Sequence, residues 1–237
     1  MILIAKTLRT QRKKDVDSKD AVEIKVVLEQ VEREVAQCEK CPLHFSRKHA
    51  VPGEGPANAE VMFIGEGPGF HENEQGRPFV GAAGKYLDDL LAGVGMRRQN
   101  VFITNVVKCR PPGNRDPNLD ELAACEAYLD RQIHALNPKV IITLGRFSMA
   151  KFIPNAKISQ VHGQVRRIDQ RFIMPMYHPA AALHQPSLQS FVERDFAQLP
   201  QLIAQAAQMS ALNGPGNGTK AAGVENPPQK PKQLSLF

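Results

Sequence analysis

The 237-residue sequence has no tryptophan, four cysteines and no long apolar run. No stretch approaches the ~18 consecutive apolar residues of a membrane span, so a membrane partner is not expected. The opening MILIAKTLRTQRKK offers five apolar residues before its first basic one. That is too short for a secretory segment, and no small-residue cleavage site follows, so a cytoplasmic protein is expected. No internal repeat is visible. A dinucleotide fingerprint is absent as well, because Pro68 interrupts the glycines of GEGPG and no G-x-G-x-x-G occurs. What the chain has is ordinary globular material, 42% hydrophobic and 23% charged, which excludes a wholly disordered polymer.

Net charge of either sign is also small where it would matter. The formal net charge is +6, but residues 1–20 hold six basic against three acidic side chains, and residues 211–237 hold three against one. The intervening residues carry 21 basic and 20 acidic side chains, a surplus of one. A global field is therefore a weak argument for nucleic-acid binding by the core.

Residues 1–20 read as a flexible basic extension, 21–210 as the folded domain, and 211–232 as a Gly/Pro-rich disordered linker leading to QLSLF at 233–237. Within the domain, Ile24, Val27, Leu28, Val31 and Val35 fall at helical spacing. EVMFIG, VFITNVV and KVIITLG read as buried strands, and GAAGKYLDDLLAGVG, residues 118–136 and GRFSMAKFI as helices, with Asn118 a cap. VRRI and FIMPMYH read as the two strands of a hairpin, and the segment from SLQSFVERDFAQ to Gln208 as helix interrupted at Pro200. Alternating strands and helices predict a mostly parallel sheet with helices on both faces. Sites in such sheets sit at the C-terminal strand ends, where GEGPG, NVVKCRPP and YHPAA fall.

Cys38, Cys41, Cys109 and Cys125 are spaced C-x2-C, then a 67-residue gap, then C-x15-C. Two disulfides do not suit a cytoplasmic chain of this size. Buried structural thiols, a zinc site and an iron–sulfur cluster all remain open on spacing, although the absence of any cysteine outside the pattern tilts it toward a metal. In the loops, a lone carboxylate is usually a solvated charge, but Glu66, between two glycines at a strand end, is placed to activate a water. Phe79 is either core or a stacking face. Asn105, near the end of a buried strand, needs partners, and its amide carries the donor and acceptor that match a nucleobase edge. A lone His is more often structural, yet His178 ends a strand and can stabilise a developing anion. Leu183 is either a wedge for a base stack or a packing residue.

Taken in order, C-x2-C, GEGPG…GRPFVG, TNVVKCRPP, a fourth cysteine and YHPAA resemble the iron–sulfur, family 4 uracil-DNA glycosylases over about residues 30–205. The resemblance implies a three-layer α/β/α sandwich and a DNA repair enzyme that flips uracil out and hydrolyses its N-glycosidic bond without cutting the strand. It implies a 4Fe–4S cluster on the four cysteines, structural rather than redox-active. It assigns water activation to Glu66, with Glu72 a second supporting acid, and close backbone approach to uracil to Gly67. Stacking falls to Phe79, reading of the base edge to Asn105, and charge stabilisation on uracil O2 to His178. DNA contact is expected from Arg77, Lys108, Arg110, Arg115, Leu183 and His184, with Arg166 and Arg167 as further local cations; position 184 is His where Arg is common in relatives. CRPPGNRDPNLDELAAC holds no histidine, which argues against the covalent trapping of a related type. QLSLF resembles the peptide by which bacterial repair proteins dock on the sliding clamp, through Gln233, Leu234, Leu236 and Phe237. A monomer is expected. The alternatives are a non-catalytic, metal-stabilised, clamp-tethered DNA-binding module and a glycosylase of shifted scope, for hypoxanthine or mismatched thymine.

Overall fold

The computed structural model describes residues 21–212. The basic extension, most of the expected linker and the clamp peptide with Gln233, Leu234, Leu236 and Phe237 lie outside the described residues.

Five strands form one sheet: β1 (Val61–Gly65), β2 (Phe102–Asn105), β3 (Val140–Leu144), β4 (Arg166–Ile168) and β5 (Arg171–Met176), in the order β2-β1-β3-β5-β4. β2, β1, β3 and β5 are mutually parallel, and β4 joins β5 as an antiparallel edge, the hairpin that the sequence suggests. The parallel strands are short apolar runs buried on both faces, as a sheet covered by helices requires.

Alternation along β1 divides the core. Val61 and Phe63 face one side, where Leu87 and Leu91 of α3 (Ala82–Gly93), Val192 and Phe196 of α8 (Gln189–Ala197) and Leu202 of α9 (Leu199–Leu212) pack. Met62 and Ile64 face the other, against Leu129, Ile133 and Leu136 of α4 (Leu119–Leu136) and Ile24 and Leu28 of α1 (residues 21–36). The result is the expected three layers. Among the described residues, four short helices, α2 (Phe70–Gln75), α5 (Arg146–Ala150), α6 (Ile158–Val161) and α7 (Pro179–His184), and four 3-10 turns complete the fold. The last break falls between α8 and α9 at Gln198, just ahead of Pro200, because proline is tolerated inside the first turn of a helix.

Candidate active site and cysteine cavity

The C-terminal ends of the four parallel strands converge. Asn105 closes β2, Glu66 follows β1, Gly145 and Arg146 follow β3, and His178 follows β5. Gly65 and Asn105 are paired in register on neighbouring strands. These ends open into a cavity of about 390 Å³ lined by Glu66, Gly67, Glu72, Phe79, Asn105, Arg115, His178 and His184, among others.

Close approach explains the glycines. A Cβ on Gly65 would stand 2.4 Å from Oδ1 of Asn105 and 2.8 Å from the Phe79 ring. Gly65 therefore lets the amide and the ring share the floor of the cavity. Phe79 itself is 5% exposed and held at φ 52°, a left-handed conformation costing about 1–3 kcal/mol. Two clamps hold it there. Arg98 donates to the carbonyls of Phe79 (2.9 Å) and Pro78 while anchored on Glu54 at 2.7 Å. Gly84 lets α3 approach so closely that a Cβ there would meet the Phe79 carbonyl oxygen at 1.9 Å. The ring stacks on His178, with centroids 5.4 Å apart and planes inclined by 24°.

His178 caps α7. Its Nδ1 accepts the Ala180 backbone N–H at 3.1 Å, so in the neutral ring the proton sits on Nε2, which is left as a donor. Burial pulls its pKa down to about 4, opposed by the Glu72 charge. The site thus holds an uncharged imidazole at neutral pH. Asn105 is 2% exposed, and its Oδ1 has no hydrogen-bond partner. Such an orphan is costly unless a ligand satisfies it.

The two acids differ sharply. Both oxygens of Glu72 are engaged by backbone: Oε1 accepts from Val80 (2.8 Å) and Gly81 (2.9 Å), and Oε2 from Gly69 (3.1 Å). Glu72 therefore ties the loop after β1 to the start of α3. Glu66 is half-buried, and among the described residues its carboxylate makes no hydrogen bond. Its pKa is raised, first by burial and then by Asp116, while Arg146 opposes. Asp116 and Arg146 are ion-paired with each other and bracket Glu66; neither was legible in the sequence, since a lone charge in a loop carries no local pattern.

Of the expected DNA contacts, Arg115 and His184 line the cavity, Arg115 pairing with Glu121 at 2.6 Å. Arg77 is exposed on a Glu54 ion pair, Arg110 donates to Asn114 at 2.7 Å, and Leu183 is 41% exposed. Arg166 and Arg167 are exposed on edge strand β4 and do not line the cavity. Lys108 is a correction. It is 1% exposed and its Nζ donates to Thr104 Oγ1 (2.6 Å), Gln132 Oε1 (2.8 Å) and the Asn105 carbonyl (2.9 Å). All three ammonium donors are spent inside, so no phosphate can reach it. It instead holds the end of β2 from below.

Residues 52–199 match the family described as the uracil DNA glycosylase superfamily. The chain is 49% identical over 185 residues to a protein of Sulfurisphaera tokodaii named type-4 uracil-DNA glycosylase, covering 74% of this chain and 84% of that one. The chain belongs to the type-4 uracil-DNA glycosylase family. Two further proteins of that name, from Archaeoglobus fulgidus and Thermotoga maritima, are 45% and 43% identical over 185 and 164 residues, covering 92% and 85% of their lengths and 74% and 68% of this chain.

In this type-4 uracil-DNA glycosylase family member all four cysteines are free thiols around one cavity, together with Val35, Leu43, Arg47 and Tyr128. Arg47 Nη1 donates to Cys109 Sγ at 3.4 Å, and the Lys108 N–H to Cys125 Sγ at 3.3 Å. Burial raises the thiol pKa values of Cys41 and Cys109 and pushes Cys125 up to about 11, so thiolates there need a cationic guest. Among the described residues no group of three or more His, Cys, Asp or Glu side chains is placed to hold a single metal ion. Four sulfurs around a shared cavity, with N–H donors aimed at two of them, fit a larger inorganic core held at its corners.

Proposed function

We propose that this protein is a monofunctional uracil-DNA glycosylase that binds a flipped uracil in the cavity at the strand ends and hydrolyses its N-glycosidic bond, leaving free uracil and an abasic site. The observation that carries this reading is the buried, unpartnered Oδ1 of Asn105 beside the stacked Phe79 and His178. Uracil presents an N3–H donor next to the O4 acceptor, and one amide answers both. Phe79 supports the base from below. Bond cleavage builds positive charge on the sugar and negative charge on uracil. Nε2–H of neutral His178 meets the latter at O2 without first losing a proton. Glu66, whose carboxylate is free, favours the cationic sugar and orients the attacking water. Gly67 lines the cavity and would bring its backbone against the base, while its missing side chain lets the loop pack on Val107, whose Cγ2 a Cβ there would meet at 2.8 Å. Glu72 fixes both loops. The direct test is release of labelled base from strands carrying uracil, thymine, cytosine or hypoxanthine; uracil is expected to leave fastest, and no uracil release would overturn the reading, while preferential release of hypoxanthine would move the base scope.

The pH dependence follows from the surroundings of Glu66. Its ionised form is the working one, so the acid limb of kcat/KM reports its pKa. Asp116→Asn removes a neighbouring negative charge and is expected to move that limb to lower pH. Arg146→Gln removes the opposing cation and is expected to move it higher. Shifts of equal sign in both variants would sink the assignment.

We further propose that Cys38, Cys41, Cys109 and Cys125 hold a 4Fe–4S cluster, which when bound cross-links the segment after α1, the loop after β2 and α4. Arg47 and the Lys108 backbone N–H would hydrogen-bond its thiolates. Purified protein should contain about four irons per chain; zinc without iron would refute the assignment. QLSLF is proposed to dock on a bacterial sliding clamp through Gln233, Leu234, Leu236 and Phe237, tethering a monomeric enzyme in the cytoplasm near replicated DNA. Deleting 233–237 should abolish clamp binding and spare activity on short oligonucleotides; retained clamp affinity would count against it.

A further inference from the structure

Beside the cavity mouth stands an aromatic ring that the mechanism does not use. Phe70 opens α2 directly after Gly69, which lines the cavity, and is 53% exposed. Arg110 comes from the loop after β2, between Cys109 and cavity-lining Pro111, and sets its guanidinium over the ring, 5.4 Å from the centroid. Nε of Arg110 is fixed by Oδ1 of Asn114, itself a lining residue, at 2.7 Å. Among the described residues the terminal amino groups of Arg110 have no hydrogen-bond partner. His71 meets Phe70 edge-on at 5.5 Å. Two loops that form the cavity wall thus meet again outside it, in a flat π surface joined to a free cationic fork.

We propose that Phe70 and Arg110 form a platform for the nucleotide next to the flipped uracil, its base stacked on Phe70 and its phosphate on Arg110. The chemistry selects this occupant. Base–aromatic stacking works for any base, and a guanidinium fork matches a phosphate. Phe70 and Arg110 adjoin cavity-lining Gly69 and Pro111, so a strand whose uracil has entered the cavity would continue beside them. A flipped nucleotide leaves its neighbour with one face unstacked, and the exposed ring replaces the lost partner. This inference rests on reading the cavity as the uracil site.

The test uses full-length protein and strands holding 2′-fluoro-2′-deoxyuridine, whose electron-withdrawing fluorine slows bond cleavage so that binding can be measured. The nucleotide on the 5′ or the 3′ side of the uracil is either thymidine or an abasic tetrahydrofuran. Removing the base on one of the two sides is expected to weaken binding by wild-type protein about 10-fold, the scale of one stacked base. Phe70→Ala should bind the intact strand as weakly as wild type binds the abasic one, and should lose nothing further when that base is removed; Phe70→Tyr should restore the difference. Arg110→Gln should flatten the dependence of log Kd on log salt by about one phosphate contact. The platform is overturned if base removal costs wild type and Phe70→Ala the same factor on both sides, or costs neither anything. The preference of wild type for fluorouridine over thymidine strands separates the two readings: its absence would remove the uracil site itself, whereas its persistence in Phe70→Ala with no flank effect would remove only the platform.

Discussion

Glu66→Gln is expected to slow single-turnover release of uracil by about 10²–10⁴-fold, the range over which a positioned acid or base contributes, while changing the Kd for uracil-containing DNA by no more than about threefold. The contrast between the two cavity acids supports this. Glu72 gives both oxygens to backbone N–H groups, so its loss should loosen two loops at once and weaken binding as well as chemistry. Glu66 holds nothing within the described protein. Its amide analogue keeps the shape, removes the charge that favours a cationic sugar, and cannot take a proton from water. Rapid-quench measurement beside a binding titration separates the two effects. An unchanged rate in Glu66→Gln would leave the proposed chemistry without its acid.

His178→Ala is the second large loss, about 10²–10³-fold in the same rate, as for removal of one donor to a developing anion. The geometry fixes the tautomer: Nδ1 is occupied as an acceptor by the Ala180 N–H, so only Nε2 carries the proton. With the pKa drawn down to about 4, the donor is present and uncharged throughout the neutral range, and protonation of His178 should not produce the acid limb of the rate profile above that value. Stability carries a matching sign. Between pH 6.5 and about 4 the unfolded chain binds a proton at this residue that the folded site refuses, so folding weakens as pH falls through that window. His178→Ala should lessen that slope in urea titrations at pH 7 and pH 5. A rate unaffected by the substitution would remove His178 from the chemistry.

The strand ends were legible because the sequence alternates buried runs with helical periods, and a parallel sheet puts its chemistry at one edge. Glu66, Asn105 and His178 stood out as polar residues where apolar strands stop. What stayed hidden depends on contacts distant in the chain. Lys108 sits beside CRPP like a surface cation, yet its acceptors are Thr104, on the preceding strand, and Gln132, a whole helix away. Glu72 looks like any loop acid until the backbone of Val80 and Gly81 folds onto it. Gly65 reads as a turn glycine, whereas its role is to leave space for Asn105 and Phe79. The clamp on the Phe79 loop is equally invisible, because Arg98 lies in a 3-10 turn after α3 and reaches back across the sheet end to carbonyls. Phe70 carried no signal at all, since an exposed aromatic has no periodicity.

The pairing of Gly65 with Asn105 has a consequence for how such an enzyme can change. The strand that leads into Glu66 and the strand that ends in Asn105 are held about 4.8 Å apart by the ladder itself. On the roles proposed for Glu66 and Asn105, that spacing fixes how far apart the two backbones that carry them stand, whatever side chains they bear. A change of base scope that needs backbone movement would therefore have to arise in the Phe79 loop or in the 110–118 segment, whose backbones are free of the ladder. Loop redesign, with the strands left untouched, is the route by which base scope should be adjustable on this scaffold.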